Sequence, residues 1–222
     1  MLDIAPELST LTYELALHSE GILAIAGVDE VGRGALAGPL VAAAVILPTP
    51  ESLRQDVDFW RTVRDSKTIP EAKRAAIAEG IKSRVPSWST ADVEPDELDE
   101  LGLGPSNRIV MERAVLGLDI EPEVLLIDAM TIESSTLQIG IIDGDALSLS
   151  IAAASIVAKV TRDALMVDAS RTWPVYGFAR HKGYGVRSHI AALRQHGPCV
   201  LHRRCFAPVR YAQELVDARQ AK

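Results

Sequence analysis

Apolar residues in this chain fall into two kinds of run. Short unbroken ones, rich in Ile, Val, Leu and Ala, cover 22–26, 40–47 and 124–127, each bounded by Gly, Pro or a charged residue. Runs of that length and composition predict buried strands. A first strand is expected over 22–31 and a second over 39–47, joined by the glycine-rich turn between them. That connection is too short for a crossover helix, so the two are expected as antiparallel neighbours. Weak alternation around Trp88 predicts a strand over 87–93. The run 124–127 predicts a compact strand ending at Asp128, and 137–142 another, closed by Asp143-Gly144-Asp145.

Elsewhere the spacing is helical. A short amphipathic helix is expected over 8–18 with Ser9 or Thr10 near its cap, and another over 70–84 behind Thr68 as N-cap, with Pro70 in the first turn. The acidic stretch 94–100 reads as a helix start. Ile109, Val110, Ala114, Val115 and Leu118 give a helical stripe over 107–117. A long Ala-rich helix is expected over 147–167, and further helices over 186–196 and 208–219. The segment 48–64, with its Pro and Asp residues, reads as loop. Strands alternating with helices predict an α/β fold with a mixed sheet. The domain reading is a core over 1–185 and a C-terminal helical region, 186–222, packed on it.

Composition changes this picture little, but charge changes it more. With 222 residues, 48% hydrophobic and 24% charged, the chain is ordinary globular material. No apolar run approaches the roughly 18 residues of a membrane span, and Asp3 and Glu7 stand where a secretory signal would be basic. Two cysteines, Cys199 and Cys205, give no disulfide framework, so a reducing, cytoplasmic setting is expected, with no membrane partner. The net charge of −7 argues against a nucleic-acid partner until its distribution is seen. Residues 1–150 carry 11 Lys/Arg against 26 Asp/Glu, and residues 151–222 carry 12 against 4, with four of the five histidines. An acidic body with a basic C-terminal third suits a metal site beside a polyanion-binding face. Two halves that simply attract each other would give the same distribution.

The candidate chemistry is carboxylate chemistry. Asp29, Glu30 and Asp128 lie at or near the ends of apolar strands, and Asp145 lies in the turn before the long helix. Strand ends of one sheet converge whatever their separation in sequence. Carboxylates held together raise each other's pKa unless a cation neutralises them. Oxygen donors without Cys or His favour a hard ion, Mg²⁺ or Mn²⁺. Two such ions activate water and stabilise the leaving oxygen of a phosphodiester. A single Asp at a strand end is ordinarily a loop cap; the Asp29-Glu30 pair beside glycines at 32, 34 and 38 is harder to dismiss.

The residues that carry this chemistry also carry a resemblance. Gly27-Val28-Asp29-Glu30-Val31-Gly32-Arg33-Gly34, continued by Leu36-Ala37-Gly38-Pro39, resembles the N-terminal signature of ribonuclease HII, the type 2 ribonuclease H. Asp65-Ser66-Lys67, Leu125-Leu126-Ile127-Asp128 and Gly144-Asp145 follow in the family's order, then the run from Ser150 to Asp163, Tyr176-Gly177-Phe178, His181-Lys182-Gly183-Tyr184 and His202-Arg203-Arg204. The chain departs from the family pattern at Ala129, where Gly is usual, and at Cys205, where Ser is usual; 130–142 carries no motif. The resemblance implies a ribonuclease H-like mixed sheet flanked by helices with a C-terminal helical extension. It implies cleavage of the RNA strand of RNA–DNA hybrids, and incision 5′ to a ribonucleotide embedded in duplex DNA, giving 3′-hydroxyl and 5′-phosphate ends. It implies Asp29, Glu30, Asp128 and Asp145 as metal ligands, with Mg²⁺ or Mn²⁺. It further implies that Gly32, Arg33 and Gly34 read the 2′-hydroxyl through backbone groups while Tyr184 stacks on the following sugar.

Ser66, Lys67, Lys159, Lys182 and Arg204 are candidate phosphate contacts, and each is equally a surface polar group if taken alone. Asp163 reads as structural, paired with an arginine. His181 and His202 are candidate general acids or supports for the ligands, with a polar surface or junction role the safer reading, and Trp60, Trp88 and Trp173 read as core or rim. Two rivals remain at this point. Gly32-x-Gly34 loosely matches a dinucleotide-binding turn, but that motif needs a helix next, whereas Pro39 and a β-branched run follow. A non-catalytic hybrid-binding protein would keep the basic face with no use for four carboxylates. Nothing demands more than a monomer, and no motif for docking to a replication clamp is evident.

Overall fold

The structure, a computed structural model, describes residues 11–220; the expected cap at Ser9 or Thr10 lies outside them. Five strands form one sheet: β1 (Ile25–Val31), β2 (Leu40–Ile46), β3 (Ser87–Val93), β4 (Val124–Asp128) and β5 (Leu137–Ile141), in the order β3-β2-β1-β4-β5. β1 and β2 are neighbours, as the short connection requires. β1 pairs with β4 in parallel, Ile25 opposite Val124 through Val28 opposite Ile127. β4 pairs with β5 in parallel, ending with Asp128 opposite Ile141. The glycine turn leads into a strand and not a helix, which removes the dinucleotide reading.

Eleven helices accompany the sheet among the described residues: α1 (Thr12–Ser19), α2 (Pro50–Gln55), α3 (Val57–Trp60), α4 (Glu71–Lys82), α5 (Pro95–Leu101), α6 (Leu103–Leu116), α7 (Gly144–Leu147), α8 (Leu149–Thr172), α9 (Phe178–His181), α10 (Arg187–His196) and α11 (Ala207–Gln220). Two expectations are corrected. The stretch 48–64 is not loop: Thr49 accepts a hydrogen bond from the Ser52 N–H at 3.4 Å and Pro50 occupies the first turn, so α2 starts there. Thr68 does not cap the following helix. It ends a 3₁₀ turn, Ser66–Thr68, whose own cap is Asp65, and its hydroxyl donates to the Asp65 carbonyl.

The chain forms two compact units that interleave in sequence, and the boundary expected at 185 falls inside the second. The first comprises Met1–Val31, Ala42–Ala91 and Arg108–Val160; the second Gly32–Val41, Asp92–Asn107 and Thr161–Lys222. In the first, α8 packs its alanines against the sheet: Ala152, Ala153, Ala154 and Ala158 are buried with Ala43, Val45, Leu53 and Trp60. Contact is so close that a Cβ at Gly27 would lie 2.0 Å from the Ser150 carbonyl carbon. In the second unit, Leu36 and Ala37 are buried with Met166, Tyr176, Phe178, Leu193, Val209 and Ala212.

Candidate active site

Four carboxylates lie in the first unit, three of them where strands stop. Asp29 and Glu30 are near the end of β1, Asp128 ends β4, and Asp145 sits in the first turn of α7. Neighbours in a strand point to opposite faces, and they differ accordingly in burial: Asp29 is buried, and Glu30 is half-exposed. Burial first, then the charges of Glu30 and Asp128, push the Asp29 carboxyl well above the usual range, against hydrogen bonds from Ser155 and the Glu30 N–H. Burial also raises Asp128, opposed by the Gly144 N–H, which donates to its Oδ1 at 2.8 Å, and reinforced by the charge of Asp145. The Asp29, Glu30, Asp128 and Asp145 charges therefore act on one another, as strand ends of one sheet should make them.

Lys67 joins this group. Its Nζ lies 3.2 Å from Asp145 Oδ2. Burial alone would lower the ammonium, but the hydrogen bond and charge of Asp145, with Asp65 and Asp29, hold it above its ordinary value. Ser66 is placed differently from a phosphate contact. It is buried, with its hydroxyl 3.1 Å from that of Ser155, and Ser155 in turn hydrogen-bonds Asp29.

Do these residues fit a divalent cation? Among the described residues, no three His, Cys, Asp or Glu side chains are grouped closely enough to hold an ion as they stand. The donor chemistry fits: the donors are all oxygen, they act on one another as like charges, and Lys67 offsets part of that charge at Asp145. Oxygen donors that raise one another's pKa suit a hard divalent ion.

The remaining predicted residues belong to the second unit. Gly32 has φ +100°, and a Cβ there would meet the Arg162 side chain at 2.3 Å, so only glycine fits. Gly34 has open space where a Cβ would be. The structure does bring Tyr184 to this loop: Ala35 and Tyr184 form an antiparallel bridge, and the Leu36 N–H donates to the Gly183 carbonyl at 2.9 Å. Lys182 is buried at a left-handed position, φ +52°, with its ammonium 2.5 Å from the Ala179 carbonyl. It faces protein where a phosphate contact had been expected.

Two residues quoted within the motifs were given no role by the sequence reading. Arg162 and Arg203 are both fully buried. Arg162 donates to the carbonyls of Pro39, Ala37 and Lys182 at 2.9–3.0 Å. Arg203 donates to those of Gly38 at 3.0 Å, Gly32 at 2.6 Å and Arg33 at 3.2 Å. Buried carbonyls must find donors, and here two guanidiniums take five of the eight carbonyls of the 32–39 loop. Burial, then the neighbouring Arg162 charge, brings Arg203 down to about 10. The signal available in the sequence was the loop itself, eight residues with more carbonyls than its own turns could satisfy.

A family model for ribonuclease HII matches residues 26–209. The chain belongs to the ribonuclease HII family. A ribonuclease HII from Desulfitobacterium hafniense is 47% identical over 207 residues, covering 93% of this chain and 77% of that one. The fold is similar to that of ribonuclease H2 from Pyrococcus horikoshii, with a TM-score of 0.75 at 24% identity over 86% of this chain and 97% of that one. It is also similar to Bst-RNase HIII solved in complex with Mn²⁺, with a TM-score of 0.65 at 21% identity over 92% and 74%. Membership in the ribonuclease HII family makes this chain a metal-dependent endoribonuclease acting on RNA–DNA hybrids, and it sets aside the non-catalytic binder. Among the described residues, no helix is long and apolar enough to cross a membrane.

Proposed function

We propose that the enzyme also incises duplex DNA on the 5′ side of single embedded ribonucleotides, leaving 3′-hydroxyl and 5′-phosphate ends. Asp29, Glu30, Asp128 and Asp145 hold Mg²⁺ or Mn²⁺, and Gly32, Arg33 and Gly34 with Tyr184 select the ribonucleotide. The observation that carries this reading is the 32–39 loop: its carbonyls are clamped from within by Arg162 and Arg203, while Gly34 stays open. A 2′-hydroxyl is the one group that separates RNA from DNA at a given position, and a rigid glycine backbone reads it where a side chain would obstruct it.

When bound, a divalent cation supplies Lewis-acid stabilisation of the phosphodiester and a more acidic water. The chain's own residues do the rest. Asp29 is held by Ser155, itself held by Ser66; Asp128 is oriented by the Gly144 N–H. Lys67 balances the charge of Asp145, a role that a bound cation would share. The Mn²⁺ in the Bst-RNase HIII structure is compatible with this donor set, and oxygen ligands accept Mg²⁺ equally.

The test is an end-labelled DNA duplex with one ribonucleotide, beside an all-DNA duplex and a long hybrid, with Mg²⁺, with Mn²⁺ and with chelator. The expected result is a single metal-dependent cut 5′ to the ribonucleotide. Asp128→Asn or Asp145→Asn should reduce turnover by about 10²-fold or more with little loss of binding. Tyr184→Ala should weaken preference for the ribonucleotide more than affinity for duplex. Cutting of the long hybrid alone would retain the metal site and overturn the roles of Gly32–Gly34 and Tyr184.

A further inference from the structure

The second unit contains a group of buried imidazoles that the reaction does not use. His189 and His202 are 0% and 1% exposed, and His181 stacks on His189 with centroids 4.5 Å apart. Their proton positions follow from one rule, that a backbone N–H only donates. The Cys199 N–H lies 3.0 Å from His202 Nδ1, so that nitrogen accepts and the neutral ring carries its proton on Nε2. This Nε2 faces His189 Nε2 at 3.1 Å, which must accept in turn. His189 then carries its proton on Nδ1 and donates it to the Tyr184 carbonyl at 2.9 Å. His181 is fixed in the same way: the Gly183 N–H at Nδ1 leaves Nε2 to donate to the Tyr176 carbonyl at 2.7 Å.

The relay works only when uncharged. A second proton on His189 would set two Nε2–H donors against each other, and one on His202 would oppose the Cys199 N–H. Burial among Tyr176 and Phe178 holds both rings neutral. The relay ends on a residue whose other backbone contacts are also taken: the Tyr184 N–H donates to the His181 carbonyl at 2.9 Å, and its carbonyl accepts from Val186 at 2.8 Å. Tyr184 is thereby fixed against Ala35, the residue that follows the Gly32–Gly34 turn.

We infer that His189 and His202 are positioning residues for Tyr184, a relay of single tautomers that holds the aromatic ring in register with the glycine loop. This rests on the ribonucleotide-selecting role proposed above for Tyr184. The relay touches neither substrate nor metal ligand; it acts through the Tyr184 backbone. His189→Leu removes the donor and keeps the volume, whereas His189→Asn places an amide N–H where Nδ1–H was.

The experiment has two arms on the full-length protein. In the first, ¹⁵N-resolved imidazole NMR of the wild type should show His202 protonated on Nε2 and His189 on Nδ1; the opposite tautomer at His189 overturns the inference whatever the variants do. In the second, kcat/KM on a single-ribonucleotide duplex is divided by kcat/KM on a long hybrid. His189→Leu should lower that ratio about tenfold, the scale on which small displacements act, and His189→Asn should restore most of it. A folded His189→Leu protein with an unchanged ratio removes the inference and leaves the function. A wild type that ignores single ribonucleotides removes the Tyr184 role and, with it, this inference.

Discussion

Ala129 stands at φ +55°, in the left-handed region, with its N–H donating to the Ile141 carbonyl at 2.9 Å. The family pattern has glycine here, and the backbone explains why: a Cβ in that conformation costs about 1–2 kcal/mol. Ala129→Gly should therefore raise stability by about 1 kcal/mol, part of the relief being offset by the freer unfolded chain; chemical denaturation measures it, and a loss would contradict it. Asp29 shows a cost of the opposite origin, a buried carboxyl among like charges. Asp29→Asn should abolish turnover yet raise the melting temperature of metal-free protein by roughly 2–4 °C, the shift from about 1 kcal/mol in a chain of this size. Saturating Mg²⁺ should shrink that gap. The placement of Asp29, Glu30 and Asp128 near strand ends was legible because apolar runs announce strand ends. The two buried arginines and the inward-facing Lys182 were not, because a basic residue in a sequence looks the same whether it meets phosphate, water or a carbonyl. The histidines were misplaced for the same reason: His181 and His202 read as surface or junction residues, and both are buried.

Elements were legible where their period was strong. β3 and β4 fall where expected, and α8 runs from Leu149 to Thr172, longer than its apolar stretch, since its later turns serve the second unit. The helices within 50–60 were missed although Thr49-Pro50 announced them, because the apolar stripe behind that cap is short. One device could not be read at all. Glu14, buried on α1, accepts from the Ser148 hydroxyl at 2.6 Å, the Ser150 hydroxyl at 2.7 Å and the Ser150 N–H at 2.9 Å. A helix start has N–H groups that need acceptors, and here a carboxylate more than a hundred residues away in sequence supplies one for α8. Glu14→Ala should cost on the order of 3 kcal/mol, since three buried donors lose their acceptor. A change below about 1 kcal/mol in denaturant titration would show that water replaces the carboxylate.

At the scale of the molecule, the first unit has a net charge of −9 and the second +2, because the acidic stretch 92–107 belongs to the same unit as the basic C-terminal residues. The histidine relay gives the molecule a pH dependence. His189 and His202 are lowered from 6.5 to about 4, by burial first. Between those values the unfolded chain binds protons that the folded one refuses, so stability falls as pH falls from about 6.5 toward 4. Denaturation at pH 7 and pH 5 should show a loss of a few kcal/mol for the coupled pair, and His189→Asn should show a smaller one. Raised carboxyls such as Asp29 act in the opposite sense, so an equal loss in both proteins would show that His189 is not its source. The chain passes between units at 31/32, 41/42, 91/92, 107/108 and 160/161. On a ribosome, the first unit has all its residues once Val160 has emerged. Leu36 and Ala37 must then wait, because Met166, Tyr176, Phe178, Leu193, Val209 and Ala212, the side chains that cover them, are still to emerge. The loop proposed to select the ribonucleotide is among the first segments synthesised and among the last to acquire its shape.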